Sequence, residues 1–106
     1  MKITITARHT QVPPLAERML RAKAEKLERF GHKLLSLSVV FDKEKYLYTV
    51  ELALDVKGAR LVSRAKHKSD LLTCIEEAVS KLETQLERRE DKKVDEVRRR
   101  TAHRPA

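Results

Sequence analysis

Twenty residues, Ser69 to Arg88, read as one uninterrupted amphipathic helix, and a chain that contains it must supply an apolar surface for it to cover. Leu71, Ile75, Ala78, Val79, Leu82 and Leu86 recur at three- and four-residue spacing and fall on one face. Ser69 is the expected N-cap, and Asp70 places a carboxylate at the positive end of the helix dipole. No Gly or Pro follows before Pro105, so the helix can run on toward Arg100. Its charges segregate. Lys81, Gln85, Arg88 and Lys92 lie along one flank of the apolar stripe, and Glu76, Glu83, Glu87 and Glu90 lie on the other flank and the back. Arg88 and Lys92 are like charges at i,i+4, which costs an isolated helix a few tenths of a kcal/mol. A basic stripe held despite that cost points to an anionic partner; a solvated face with incidental charge order is the alternative.

The rest of the chain supplies the surface. Lys2 to Arg8 alternates as a half-buried strand, with Ile3, Ile5 and Ala7 on one side. After a loop over His9–Val12, Pro13 and Pro14 open a helix whose apolar face is Ala16, Met19, Leu20, Leu27 and Phe30, and Gly31 is the expected C-cap. Leu35 to Asp42 is a second strand, with Leu35, Leu37, Val39 and Phe41 on one face. Asp42 to Lys45 reads as a charged turn, and Tyr46 to Val56 as a third strand. Lys57-Gly58 marks a tight hairpin before a fourth strand, Arg60 to Lys66. The order β-α-β-β-β-α predicts an α+β two-layer sandwich, a four-stranded sheet with two helices on one face. One domain spans residues 1–97, and a basic tail over 98–106, with too few apolar residues to pack, is expected to be disordered.

Charge narrows the function. The 106 residues hold 24 Lys and Arg against 16 Asp and Glu, a net charge of +8 that favours polyanions such as RNA. The excess is uneven: residues 69–97 are net acidic, so only the segregated flank of the long helix can face an anion. The single cysteine, Cys74, excludes a disulfide within the chain and fits a reducing cytoplasm. No signal peptide and no membrane-spanning run is expected. Enzyme signatures are missing. Gly31 and Gly58 are the only glycines, which leaves no phosphate-cradling loop. His9, His32, His67 and His103 lack metal-ligand spacing, and Cys74 reads as a small core residue rather than a nucleophile. No catalytic residue, metal, cofactor or small-molecule substrate is expected. Tyr46 and Tyr48, among alternating apolar neighbours, read as sheet packing, with base stacking the alternative.

Several stretches carry a family resemblance: Ile3-Thr4-Ile5 at the start, Ala22 to Phe30 closing the first long helix, Asp70 to Ile75 entering the second, and Lys81-Leu82-Glu83-Thr84-Gln85-Leu86-Glu87-Arg88. Over about residues 1–93 the chain resembles the short ribosome hibernation promoting factors, the family that includes ribosome-associated inhibitor A and was once called sigma-54 modulation proteins. The resemblance implies a fold akin to double-stranded-RNA-binding domains. It implies binding to the small ribosomal subunit in the mRNA and tRNA channel, and silencing of translation in stationary phase or stress. Carried over by position, it implies RNA contacts by Lys23, Lys26 and Arg29 on the first helix and by Lys81, Gln85 and Arg88 on the second. Arg64 and Lys66, with His67 and Lys68, join them from local charge, and Lys92 from the helical wheel. Pro13 stands where the family often has a Thr cap, Leu72 where an aromatic is usual, and Thr84 where a relative carries another basic residue. The long members' extra C-terminal domain and some short members' acidic tail have no counterpart in these residues. A structured-RNA-binding module of another kind, or a protein-interaction modulator of a transcription factor, are the alternative readings.

Overall fold

The computed structural model describes residues 1–30 and 33–102, with side chains described as far as Arg89. Four strands form one sheet in the order β1-β2-β3-β4: β1 (Lys2–Arg8), β2 (Leu34–Glu44), β3 (Leu47–Val56) and β4 (Ala59–His67). The helices are α1 (Pro14–Leu27), followed by a 3-10 turn over Glu28–Phe30, and α2 (Leu71–Ala102). β1 and β2 pair in parallel through the α1 crossover, whereas β2–β3 and β3–β4 are antiparallel hairpins. Both helices cover the same face. Ala16, Leu20, Ala24 and Leu27 of α1 and Ile75, Ala78, Val79, Leu82 and Leu86 of α2 share one buried cluster with Leu37, Val39, Phe41, Val50, Leu52 and Leu54. Each buried Leu in such a cluster is worth about 1.5–3 kcal/mol of apolar transfer. The other face of the sheet carries no helix among the described residues.

Local chemistry explains the element ends. Pro13 caps α1 in extended conformation (φ −61°, ψ 145°), its carbonyl accepting from Glu17 N–H at 3.1 Å. Gly58 takes φ +85° in the two-residue β3–β4 turn, a left-handed value that suits glycine. The expected cap at Gly31 lies outside the described residues, as do the side chains of the tail expected over 98–106.

Three expectations are corrected. The charged segment Asp42–Lys45 is not a loop: β2 continues to Glu44 and the turn is Lys45–Tyr46, with Lys45 at φ +55°. Charge is tolerated in these last ladder rows because they lie past the end of β1, in solvent. Tyr46 therefore sits in the turn, 68% exposed, and is not the first residue of β3. Leu35 does not share the core face of β2. The register slips between Leu34 and Ser36, and this irregularity turns Leu35 outward to 48% exposure. The N-cap of α2 is Asp70, not Ser69. The Asp70 carboxylate accepts from Thr73 N–H at 3.2 Å and Thr73 Oγ1 at 2.6 Å, while Ser69 N–H and Asp70 N–H point at His67 Nδ1.

The Thr73 hydroxyl, then the Thr73 backbone N–H, hold the Asp70 carboxyl below the usual carboxylate range. Asp70→Ala should lower the melting midpoint at neutral pH. The folded carboxyl titrates below its unfolded counterpart, so the cap's stabilisation is complete above about pH 4 and fades as pH falls through the folded value. Melting curves of the two proteins, separated at pH 7, should converge on acidification; a separation that grows toward low pH would contradict the cap.

Candidate nucleic-acid interface

β4 is an edge strand, and edge strands carry backbone groups with no ladder partner. Val62 and Arg64, two residues apart, point their carbonyls the same way, outward from the ladder. The flank of α2 that the helical wheel marks as basic lies directly against them. Lys81 Nζ donates to the Arg64 carbonyl at 2.8 Å, and Gln85 Nε2 donates to the Val62 carbonyl at 2.7 Å. One turn further on, Arg89 Nη2 reaches the Lys57 carbonyl at 3.5 Å and rests over the β3–β4 turn. Deeper in the same seam, Ser63 Oγ donates to the Ala78 carbonyl at 2.8 Å and Cys74 Sγ to the Ala65 carbonyl at 3.1 Å. The i, i+4 spacing of Lys81 and Gln85 matches alternate carbonyls along β4 only because α2 runs nearly along that strand.

Between strand and helix opens a cleft of about 420 Å³ lined by Val62, Ser63, Arg64, Lys81, Thr84, Gln85 and Arg88. The structure thus brings together four expected site residues from two elements: Arg64, Lys81, Gln85 and Arg88. Lys81 keeps two N–H bonds beyond the one given to Arg64. The side chains of Arg64 and Arg88 are exposed and have no acidic partner among the described residues. Arg64 and Lys66, two residues apart, share the outer side of β4 with Val62, so Arg64 meets the cleft at its rim and Lys66, opposite Thr49, lies beyond it. The cleft is therefore a shallow cationic surface with polar walls, suited to phosphate oxygens. Thr84, which lines it, spends its hydroxyl on the Ser80 carbonyl at 3.1 Å.

The α1 residues form a separate patch. β4 runs parallel to β1, so α1 and α2 also run parallel. The amino terminus lies 3.8 Å from Glu28, which sets that side of α1 over β1. The flank with Lys23 and Lys26 faces the opposite way, toward α2. Both basic rows thus point in the direction of β4. They are not contiguous, because the α2 flank with Glu76 and Glu83 lies between them. Arg29 sits in the 3-10 turn after α1 and is exposed. The side chain of Lys92 lies outside the described residues.

Chemistry by a nucleophile or metal gains no support. Burial pushes the Cys74 thiol up, away from the thiolate. Among the described residues no group of three or more His, Cys, Asp or Glu is placed to hold a metal ion, and no described helix is long and apolar enough to cross a membrane. What the sequence did not disclose is that Lys81 and Gln85 have an internal task. No signal in α2 alone could show it, since the acceptors are backbone groups of β4. Lys81→Met should therefore lower the melting midpoint, because the Arg64 carbonyl loses its donor, while Arg88→Met should leave it near the parent's. Equal midpoints for both variants would remove the structural role of Lys81.

Residues 3–94 match the sequence model of a family described as Sigma 54 modulation protein / S30EA ribosomal protein. The chain is 28% identical over 106 residues to a ribosome hibernation promoting factor of Azotobacter vinelandii, covering all of this chain and 95% of the relative. Its fold is similar to that of a ribosomal subunit interface protein from Coxiella burnetii, with TM-score 0.75 and 20% identity over 86% of this chain and 99% of that one. It is equally similar to the N-terminal domain of Protein Y from Thermus thermophilus, with TM-score 0.75 and 24% identity over 83% and 98%.

Proposed function

The chain belongs to the Sigma 54 modulation protein / S30EA ribosomal protein family, and on that premise we propose that it is a cytoplasmic ribosome hibernation factor acting on the small ribosomal subunit. It binds ribosomal RNA in the channel used by mRNA and tRNA and silences translation under starvation or stress. The mechanism is occlusion, in which no bond is made or broken. The observation that carries this reading is the α2–β4 cleft, lined by Arg64, Lys81 and Arg88 with no carboxylate among the described residues that line it. The relatives named for ribosome hibernation and the net charge of +8 support it.

In physical terms the sheet and α2 fix the backbone that carries the cationic groups, and of these only Lys81 is already held by a contact among the described residues, so docking still orders the Arg64 and Arg88 side chains. Each phosphate neutralised releases condensed counterions, and the log of the binding constant should fall with log salt by about 0.7–0.9 per contact. Phosphate contacts and shape set the docking position, with little reading of base edges. Lys23, Lys26 and Arg29 supply a second anchoring patch on α1, reached by a separate stretch of backbone because of the intervening glutamates.

Arg64→Glu combined with Arg88→Glu should abolish association with 30S and 70S particles in sucrose gradients and flatten the salt dependence. Neither side chain has an acidic partner among the described residues, so the melting midpoint should stay near the parent's. Undiminished sedimentation with 30S particles would refute the cleft as the RNA surface. Equal affinity of the unaltered chain for free duplex RNA and for 30S particles would refute the ribosome as its specific target.

A further inference from the structure

The β2–β3 hairpin reaches past both of its neighbours. β1 ends with Arg8 opposite Asp42, and β4 ends with His67 opposite Tyr48, so the last row, Glu44 opposite Leu47, has no strand beside it. Lys45 and Tyr46 form the turn at its tip. Two aromatic rings stand at this end in different states. The Tyr48 ring is covered by Lys43, whose Nζ lies 5.0 Å from the ring centroid. The Tyr46 ring is bare, at 68% exposure the most exposed of the large apolar side chains described. The turn is built without glycine, and Lys45 is held at φ +55°, so the ring is carried on a short, fixed loop. Lysines cluster at this end of the sheet: Lys45 beside Tyr46 in the turn, Lys43 over the Tyr48 ring, Lys66 two rows back opposite Thr49, and Lys68 just past the end of β4. Glu44 is the one carboxylate in the tip itself, since Asp42 is engaged by His9 at 3.1 Å.

We propose that Tyr46 is a base-stacking contact, the flat face of its ring taking an unpaired nucleobase of the RNA whose phosphates the neighbouring lysines neutralise. This rests on the reading of the chain as a ribosome-bound factor and adds to it a second, non-electrostatic contact. The α2–β4 cleft offers only charge and hydrogen bonds, which follow the backbone. An exposed aromatic ring among lysines matches the other feature of a nucleic acid, a π-face that every base possesses whatever its sequence. An apolar protein pocket would also accept a tyrosine ring, but the excess of lysines over carboxylates at this end of the sheet favours a polyanion over such a pocket.

The test uses purified ribosomes and four proteins: the unaltered chain, Tyr46→Phe, Tyr46→Ala and Tyr46→Trp. Stacking on one base is worth about 1–3 kcal/mol by alanine substitution, so Tyr46→Ala should bind between about five-fold and about a hundred-fold more weakly. Tyr46→Phe, which keeps the π-face and loses only the hydroxyl, should bind within about two-fold of the parent. The chain has no tryptophan, so Tyr46→Trp carries a single reporter whose fluorescence should be quenched on binding and restored by ribonuclease. Unchanged affinity of Tyr46→Ala beside normal binding of the parent overturns the stacking contact and leaves the cleft intact. Quenching that survives complete ribonuclease digestion assigns the ring to a protein partner and overturns it too. Absence of ribosome binding by the unaltered chain removes the ribosome reading itself.

Discussion

The outward carbonyls of β4 are the constraint around which the rest is arranged. A sheet of four strands has two edges, and an unprotected edge invites a further strand. Here α2 closes one of them with its own side chains: Lys81 on Arg64, Gln85 on Val62, Arg89 on the turn at Lys57. These contacts fix how far along β4 the helix lies and how it is rotated. That rotation decides everything on the surface. It buries Leu82 and Leu86, turns Glu76 and Glu83 toward α1, and leaves Arg88 beside Arg64 across a cleft. The cationic surface is thus a by-product of docking as much as a feature of sequence.

Much of the fold was legible because its signals are local. Alternation in Lys2–Arg8, the Pro13-Pro14 opening of α1 and the Gly58 turn each need only a few neighbouring residues to be read, and each element is where it was expected. The departures arise where long-range pairing decides. Leu35 alternates correctly with Leu37 and Val39, yet a register irregularity against β3 turns it outward. The run Asp42–Lys45 looks like a loop by composition, but the ladder to β3 continues through most of it. Tyr46 alternates with Tyr48 and Val50, yet the turn ends one residue later than the charges suggest and takes it in. Ser69 and Asp70 are both good caps, and only the positions of Thr73 and His67 choose between them.

The site divides in the same way. A helical wheel is enough to put Lys81, Gln85 and Arg88 on one flank, and Arg64 stands out by its charge. What a wheel cannot supply is depth. Lys81 and Gln85 look like free surface groups but are partly engaged by backbone, whereas Arg64 and Arg88 are exposed and unpaired with any described carboxylate. The α1 residues Lys23, Lys26 and Arg29 suggest a row matching that of α2. The helices do run parallel, but the acidic flank of α2 interrupts the field between the rows, and two-dimensional projections of single helices omit that neighbour.

The parallel pairing of β1 with β2 has a consequence for assembly. Hairpin rows join residues as near as Glu44 and Leu47, but β1 must find β2 across the whole of α1, as in the pair Lys2 and Ser36. Closing the longer loop removes more chain entropy before any contact repays it. The two hairpins of the meander can therefore order from short-range contacts, while the amino-terminal strand, like the packing of α1 on α2, must wait for distant parts of the chain to meet.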